Sequence, residues 1–160
     1  MPDMDDLRRA YKKKNDILRR HWEDMENLAF QLEQGFAGYL GVSGQFLQLG
    51  DERIPYVEIG RNEGGEFISH RNGGLQRDQD KLLVMFRIAI DEAPEAYPKE
   101  LLLIDITIRK VNEAFLVAFE DGKGAHPTSI QKSVEDDELT LVYERISEVL
   151  LERLNFDDLA

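Results

Sequence analysis

The chain has 160 residues, 42% of them apolar and 32% charged, with no cysteine and a formal net charge of −12. The missing thiols exclude disulfides, thiol catalysis and thiolate metal sites, and the acidity works against binding nucleic-acid phosphates. One domain with one core fits this length, and no stretch reaches the roughly 18 uncharged apolar residues of a membrane span.

The first forty residues carry the strongest pattern. Tyr11, Leu18, Met25, Leu32 and Tyr39 recur every seven residues, with Trp22, Ala29 and Phe36 as a second row beside them. That spacing keeps an apolar seam on one side of a helix. A long helix is expected from near Asp3, with Asp5 and Asp6 in the first turn, where the helix dipole favours carboxylates. Gly35, Gly38 and Gly41 place its end between Gln34 and Leu40. Thirty residues of helix measure about 45 Å, against a diameter of roughly 40 Å for a compact domain of this size. The helix therefore spans the body or overhangs it. Its rows thin out at Lys12, Lys13, Lys14 and Asn15, so the Trp22–Phe36 half is expected on the core and the basic half in solvent. Asn15 and Asp16 compete for backbone hydrogen bonds and mark where the helix would break. Residues 1–20 sum to +3, leaving −15 on the remainder. They contain no apolar signal segment, which points to a cytoplasmic protein.

From residue 44 the period becomes two. Gln45–Leu49 and Ile54–Ile59 read as short strands, and the Gly-rich turn Arg61–Gly65 makes a hairpin of Ile54–Ile59 with Glu66–Ser69. His70 to Asp80 reads as a polar mobile loop. Leu82–Ile90, apolar on both faces, is a central covered strand. Leu101–Arg109 and Ala114–Phe119 alternate and form a hairpin through Val111-Asn112-Glu113. The Pro-containing connection Asp91–Glu100 is too short for a parallel crossover, so it also joins antiparallel strands. After a loop over Asp121–Pro127, Ser133 to Asp136 resembles a capping box opening an amphipathic helix to Leu154. The expected class is α+β. A single domain over 1–160 comprises a long helix (1–40), an antiparallel sheet of five to six strands (44–120) and a C-terminal helix (133–154), with both helices on one sheet face.

Candidate chemistry is sparse. Of three histidines, His21 flanks the seam and His126 precedes Pro127 in a loop. His70 is the most suggestive, opening a Gly-rich loop with Arg71 and Asn72 beside it. No metal-ligand spacing and no phosphate-binding glycine motif occurs, so neither metal nor cofactor is expected. One enzymatic alternative remains. Asp105 in one strand, with Asp121 and Lys123 closing the next, echoes how metal-dependent nucleases of the restriction-endonuclease kind hold a divalent ion.

The remaining signal is electrostatic. Residues 135–160 carry −7, and Asp137, Glu144, Glu148 and Glu152 form an acidic ridge opposite the apolar stripe of the last helix. The ridge suits a basic protein partner, with Lys12, Lys13 and Lys14 as a second contact. The favoured function is a non-catalytic inhibitor of a basic toxin or nuclease, as bacterial immunity proteins are. A small acidic chaperone for a secreted protein has the same size and charge. A homodimer through Leu18, Trp22, Met25 and Leu32 of the first helix is compatible with either.

Overall fold

The computed structural model describes residues 1–119, 128–131 and 136–155. Helix α1 (Met4–Tyr39) is one unbroken helix of 36 residues, continuous through Asn15 and Asp16. Asp3 caps it in a reciprocal box: Asp3 accepts from the Asp6 N–H at 2.9 Å, and Asp6 from the Asp3 N–H at 3.0 Å. At the other end, Val42 N–H donates to the Ala37 carbonyl at 2.9 Å and Gly41 N–H to that of Gly38 at 3.1 Å. Gly41 stands at φ 75°, the left-handed conformation this C-cap requires.

Among the described residues nine strands follow: β1 (Phe46–Leu49), β2 (Glu52–Pro55), β3 (Val57–Glu63), β4 (Glu66–Ser69), β5 (Gln76–Asp78), β6 (Lys81–Ile90), β7 (Glu100–Val111), β8 (Ala114–Phe119) and β9 (Thr128–Gln131). Helix α2 (Asp136–Arg153) closes the described chain. All pairings are antiparallel. The large sheet has seven strands in the order β4-β3-β6-β7-β8-β9, and β5 pairs with β6 on the same side as β3. The remaining two, β1 and β2, form a separate hairpin. The α+β class is as expected, but the strand count is higher than five or six. The expected strand Ile54–Ile59 divides at Tyr56, whose N-terminal part joins the small hairpin and whose C-terminal part enters the large sheet. The expected loop after His70 contains a 3-10 turn (His70–Asn72) and β5. The loop expected over Asp121–Pro127 and the capping residues Ser133 to Glu135 lie outside the described residues.

Alternation along the strands builds one core. Val57 and Ile59, Leu82, Val84, Phe86 and Ile88, Ile104, Ile106 and Ile108, and Phe115 and Val117 share the inner face. Onto it α1 brings Met25, Leu28, Ala29, Leu32 and Phe36, and α2 brings Leu139, Val142, Tyr143, Ile146, Val149 and Leu150. Each Val, Leu, Ile, Phe or Met among them contributes roughly 1.5–3 kcal/mol of transfer free energy on burial. At one end of the opposite sheet face the β1–β2 hairpin packs through a small cluster of Leu47, Ile54, Tyr56 and Ala89.

Burial in α1 begins at Met25, and every residue from Met4 to Arg20 except Asp16 is exposed. About 25 Å of helix therefore projects past the body. At submicromolar concentration, Leu32→Ala should cost about 2–5 kcal/mol in denaturant unfolding, as a core cavity does. Leu18→Ala, one heptad pair away on the exposed arm, should stay within about 0.5 kcal/mol. Gly60→Ala should cost about 1–3 kcal/mol, because a Cβ there would stand 2.1 Å from the Ile68 backbone carbonyl oxygen, which side-chain rearrangement cannot move.

Candidate functional site

The residues singled out from the sequence fall on four separate parts of the fold. Lys12, Lys13 and Lys14 lie on the projecting arm of α1, fully exposed. Neighbouring charges on the arm are paired along the helix: Arg8 with Asp5 at 3.2 Å, Arg9 with Asp6, and Arg19 with Asp16 at 3.3 Å. The three lysines take part in no ion pair among the described residues. Met4, Leu7, Tyr11 and Leu18 share one side of this arm and are 45–68% exposed.

The arm is fastened at its root. Trp22 is half-buried beneath the Arg77 guanidinium, 4.8 Å from the ring centre, and His21 meets Trp22 edge-on. Asp24 accepts from Lys110 at 2.6 Å, and Glu26 from Arg77 at 3.2 Å. These contacts from β5 and β7 fix where the helix leaves the body. The expected homodimer seam is thereby divided. Met25 and Leu32 are fully buried against the chain's own sheet, so only the part before Trp22 is open to another molecule.

Asp137, Glu144, Glu148 and Glu152 are all exposed on the outward side of α2. Leu141 and Leu151 lie among them, 55% and 67% exposed. Arg145 at the margin of the stripe pairs with Glu148 at 3.3 Å and packs over Phe119. The carboxylates are legible in the sequence as a charged face, whereas the exposure of the two leucines becomes evident in the fold. Their spacing of ten residues on the polar side of the helix was the available signal.

His70 opens the 3-10 turn, while Arg71 and Asn72 beside it are exposed. Folding brings His70 against α1: its Nε2 lies 3.4 Å from Glu33 Oε2, and its ring packs on Phe30. Glu33 accepts the Ile59 N–H at 2.8 Å, a position that β4, ending opposite Gly60, does not cover. It also borders a cleft of about 350 Å³ shared with Gln34, Ser43, Phe46, Tyr56 and Arg71. Burial raises the Glu33 carboxyl above its ordinary pKa. The Ile59 N–H, His70 and Arg71 oppose that rise, and Glu58 adds to it. Glu33 is 37 positions from His70 and carried no sequence signal beyond a place at the edge of the seam. A raised acid beside a histidine could exchange a proton. The same carboxylate also serves the strand edge, which accounts for its position without any reaction.

Asp105 is exposed on the open sheet face, bordering a hollow of about 340 Å³ with Asn62, Gln76, Asp78, Leu83 and Met85. Partial burial raises its carboxyl, and the Arg153 guanidinium opposes this. Arg153 itself donates to the Leu103 carbonyl. Asp121 and Lys123, its companions in the nuclease reading, and His126 lie outside the described residues. Among the described residues, no group of three or more His, Asp or Glu is placed to hold a metal ion. None of their helices is long and apolar enough to cross a membrane.

Compared with known proteins, the chain matches no family model, no curated protein and no solved structure.

The Glu33 site yields a pH prediction. An acid whose folded pKa is raised holds its proton more tightly in the folded state, so stability declines as pH rises from the unfolded pKa through the folded one. Gln at this position keeps an oxygen for the Ile59 N–H and cannot ionise. In paired denaturant titrations, the stability of Glu33→Gln relative to the native chain should rise as pH increases upward from the ordinary carboxylate range. A flat difference would show that the cleft leaves the carboxyl at its ordinary value, and a falling one that it favours the charged form.

Proposed function

We propose that this chain acts by binding another protein, as an inhibitor of a basic toxin or nuclease, and that the outward stripe of α2 receives a basic amphipathic segment of that partner. The reading is supported by six exposed side chains on one side of one helix: Asp137, Leu141, Glu144, Glu148, Leu151 and Glu152. A single exposed leucine is ordinary on a protein surface. Two leucines ten positions apart, framed by four carboxylates, offer what a Lys- and Leu-bearing helix needs: apolar anchor points and an opposite charge around them. The inward side of α2 is core, so the stripe is held on a rigid element and its geometry is set before any partner arrives. The acidic body adds long-range attraction, which accelerates encounter with a basic protein and weakens with salt.

A synthetic helix of Leu and Lys in heptad spacing tests the stripe by calorimetric titration. Binding is expected in about 0.1 M salt and should weaken at least roughly tenfold in about 0.5 M salt. It should be lost in Glu144→Lys/Glu148→Lys/Glu152→Lys and retained in the charge-matched control Asp51→Lys/Glu66→Lys/Glu92→Lys, whose residues are exposed elsewhere. Equal loss in both variants would reduce the effect to general acidity and end the docking-face reading.

A further inference from the structure

The arm of α1 is a basic amphipathic helix whose apolar seam is exposed, with no described residue of its own chain covering it. We propose that the partner of the α2 stripe includes the arm of a second copy of this chain, an inference that rests on reading the stripe as a docking face. Residues 4–20 hold seven Lys and Arg against three Asp, a net of +4. The exposed seam of Met4, Leu7, Tyr11 and Leu18 continues the row that its root buries as Met25, Leu32 and Phe36. A helix of about 17 residues without tertiary contact is marginal in water. A second surface would supply to the arm what the sheet supplies to the root.

The two surfaces agree in length, chemistry and sign. Leu7 and Leu18 are separated by about 16 Å along the arm, and Leu141 and Leu151 by about 15 Å along α2. Arg8, Lys14 and Arg19 stand in or beside the arm's seam, and Asp137, Glu144, Glu148 and Glu152 surround the leucines of α2. Pairing two arms with each other would instead set +4 against +4.

The arm cannot reach the stripe of its own molecule. Helix α1 is unbroken from Met4 to Tyr39 and meets α2 at Gly35, Phe36 and Tyr39. Leu18 is held about 25 Å from that contact along a rigid rod. The stripe it meets belongs to another molecule.

Two full-length variants, substituted only at exposed positions, each block one surface. Leu7→Glu/Leu18→Glu removes the arm, and Glu144→Lys/Glu148→Lys/Glu152→Lys removes the stripe. By sedimentation at tens of micromolar in about 0.1 M salt, the native chain should self-associate, and about 1 M salt should weaken this at least tenfold. Each variant alone should be monomeric. Their equimolar mixture should form a one-to-one complex, because one supplies an intact arm and the other an intact stripe. A monomeric native chain, association that survives either set of substitutions, or a mixture that stays dissociated would each overturn the proposal. Survival in the stripe variant would identify arm-to-arm pairing instead. A monomeric native chain that still binds the Leu/Lys helix would leave the docking-face reading intact and remove only the second copy as its occupant. Loss of both would remove both.

Discussion

Two helices share the inner face of one sheet, and a close contact between them decides how. The ring of Tyr143 lies directly over Gly35, where a Cβ would stand 1.8 Å from the Tyr143 hydroxyl oxygen. The same ring packs on Phe36 and Tyr39, at centroid distances of 6.0 and 5.7 Å. Any side chain at residue 35 would displace the Tyr143 ring from its place against Phe36 and Tyr39. With glycine there, α2 settles with one stripe on the sheet and the opposite stripe in solvent. The close approach of α1 and α2 at this point thus depends on a missing side chain, while the apolar stripe of α2 on the sheet turns Asp137, Glu144 and Glu148 outward. Helix α1 is held at the same time, so its rigid length commits the first 20 residues to leave the body.

Charge follows this division of space. The arm holds most of its cations free of the body, while the rest of the chain is strongly acidic. At the boundary the pattern becomes specific: Lys110 with Asp24, Arg77 with Glu26, and the Arg77 guanidinium over Trp22. Partly exposed pairs such as these contribute little individually to stability. Together with the packed rings they define an exit point, which makes the arm a fixed feature. A long basic helix held at a fixed angle can present its seam to a partner with less ordering cost than a flexible tail.

The open sheet face shows how packing reinterprets alternation. Glu58 and Arg87 face away from the helices and pair at 2.9 Å, with Phe67 stacked on the guanidinium at 4.4 Å. Desolvation is the largest influence on Arg87 and lowers its pKa, while Glu58 opposes it. From sequence, Leu82–Ile90 looked apolar on both faces and therefore central. It is central, but its outer side is only partly covered, by the β1–β2 hairpin at Ala89 and by neighbouring side chains at Met85. Asp105 joins this face beside a hollow it shares with Asp78, and among the described residues no group of three or more His, Asp or Glu is placed to hold a metal ion.

What the sequence determined by itself was periodic and local. Seven-residue spacing marked α1 and separated its core half from its basic half. Alternation marked β6, β7 and β8. The Gly64-Gly65 pair, both at positive φ, set the β3–β4 turn. Carboxylates opposite an apolar stripe marked the outer side of α2. Each of these follows from the geometry of a helix or strand, which neighbouring residues impose on one another. Tertiary structure alone decided the rest. Tyr56 divides an apparent strand because its ring is drawn into the second cluster with Ala89 and its hydroxyl to Asp91 at 2.5 Å. Residues 70–78 became a turn and a strand because β6 extends beyond β3 and leaves an edge for β5 to pair. Glu33 met His70 because α1 crosses the open end of β3. Tyr56 and Ala89, and Glu33 and His70, are far apart in sequence, and even the short β5–β6 hairpin depends on a sheet edge that β3 leaves open.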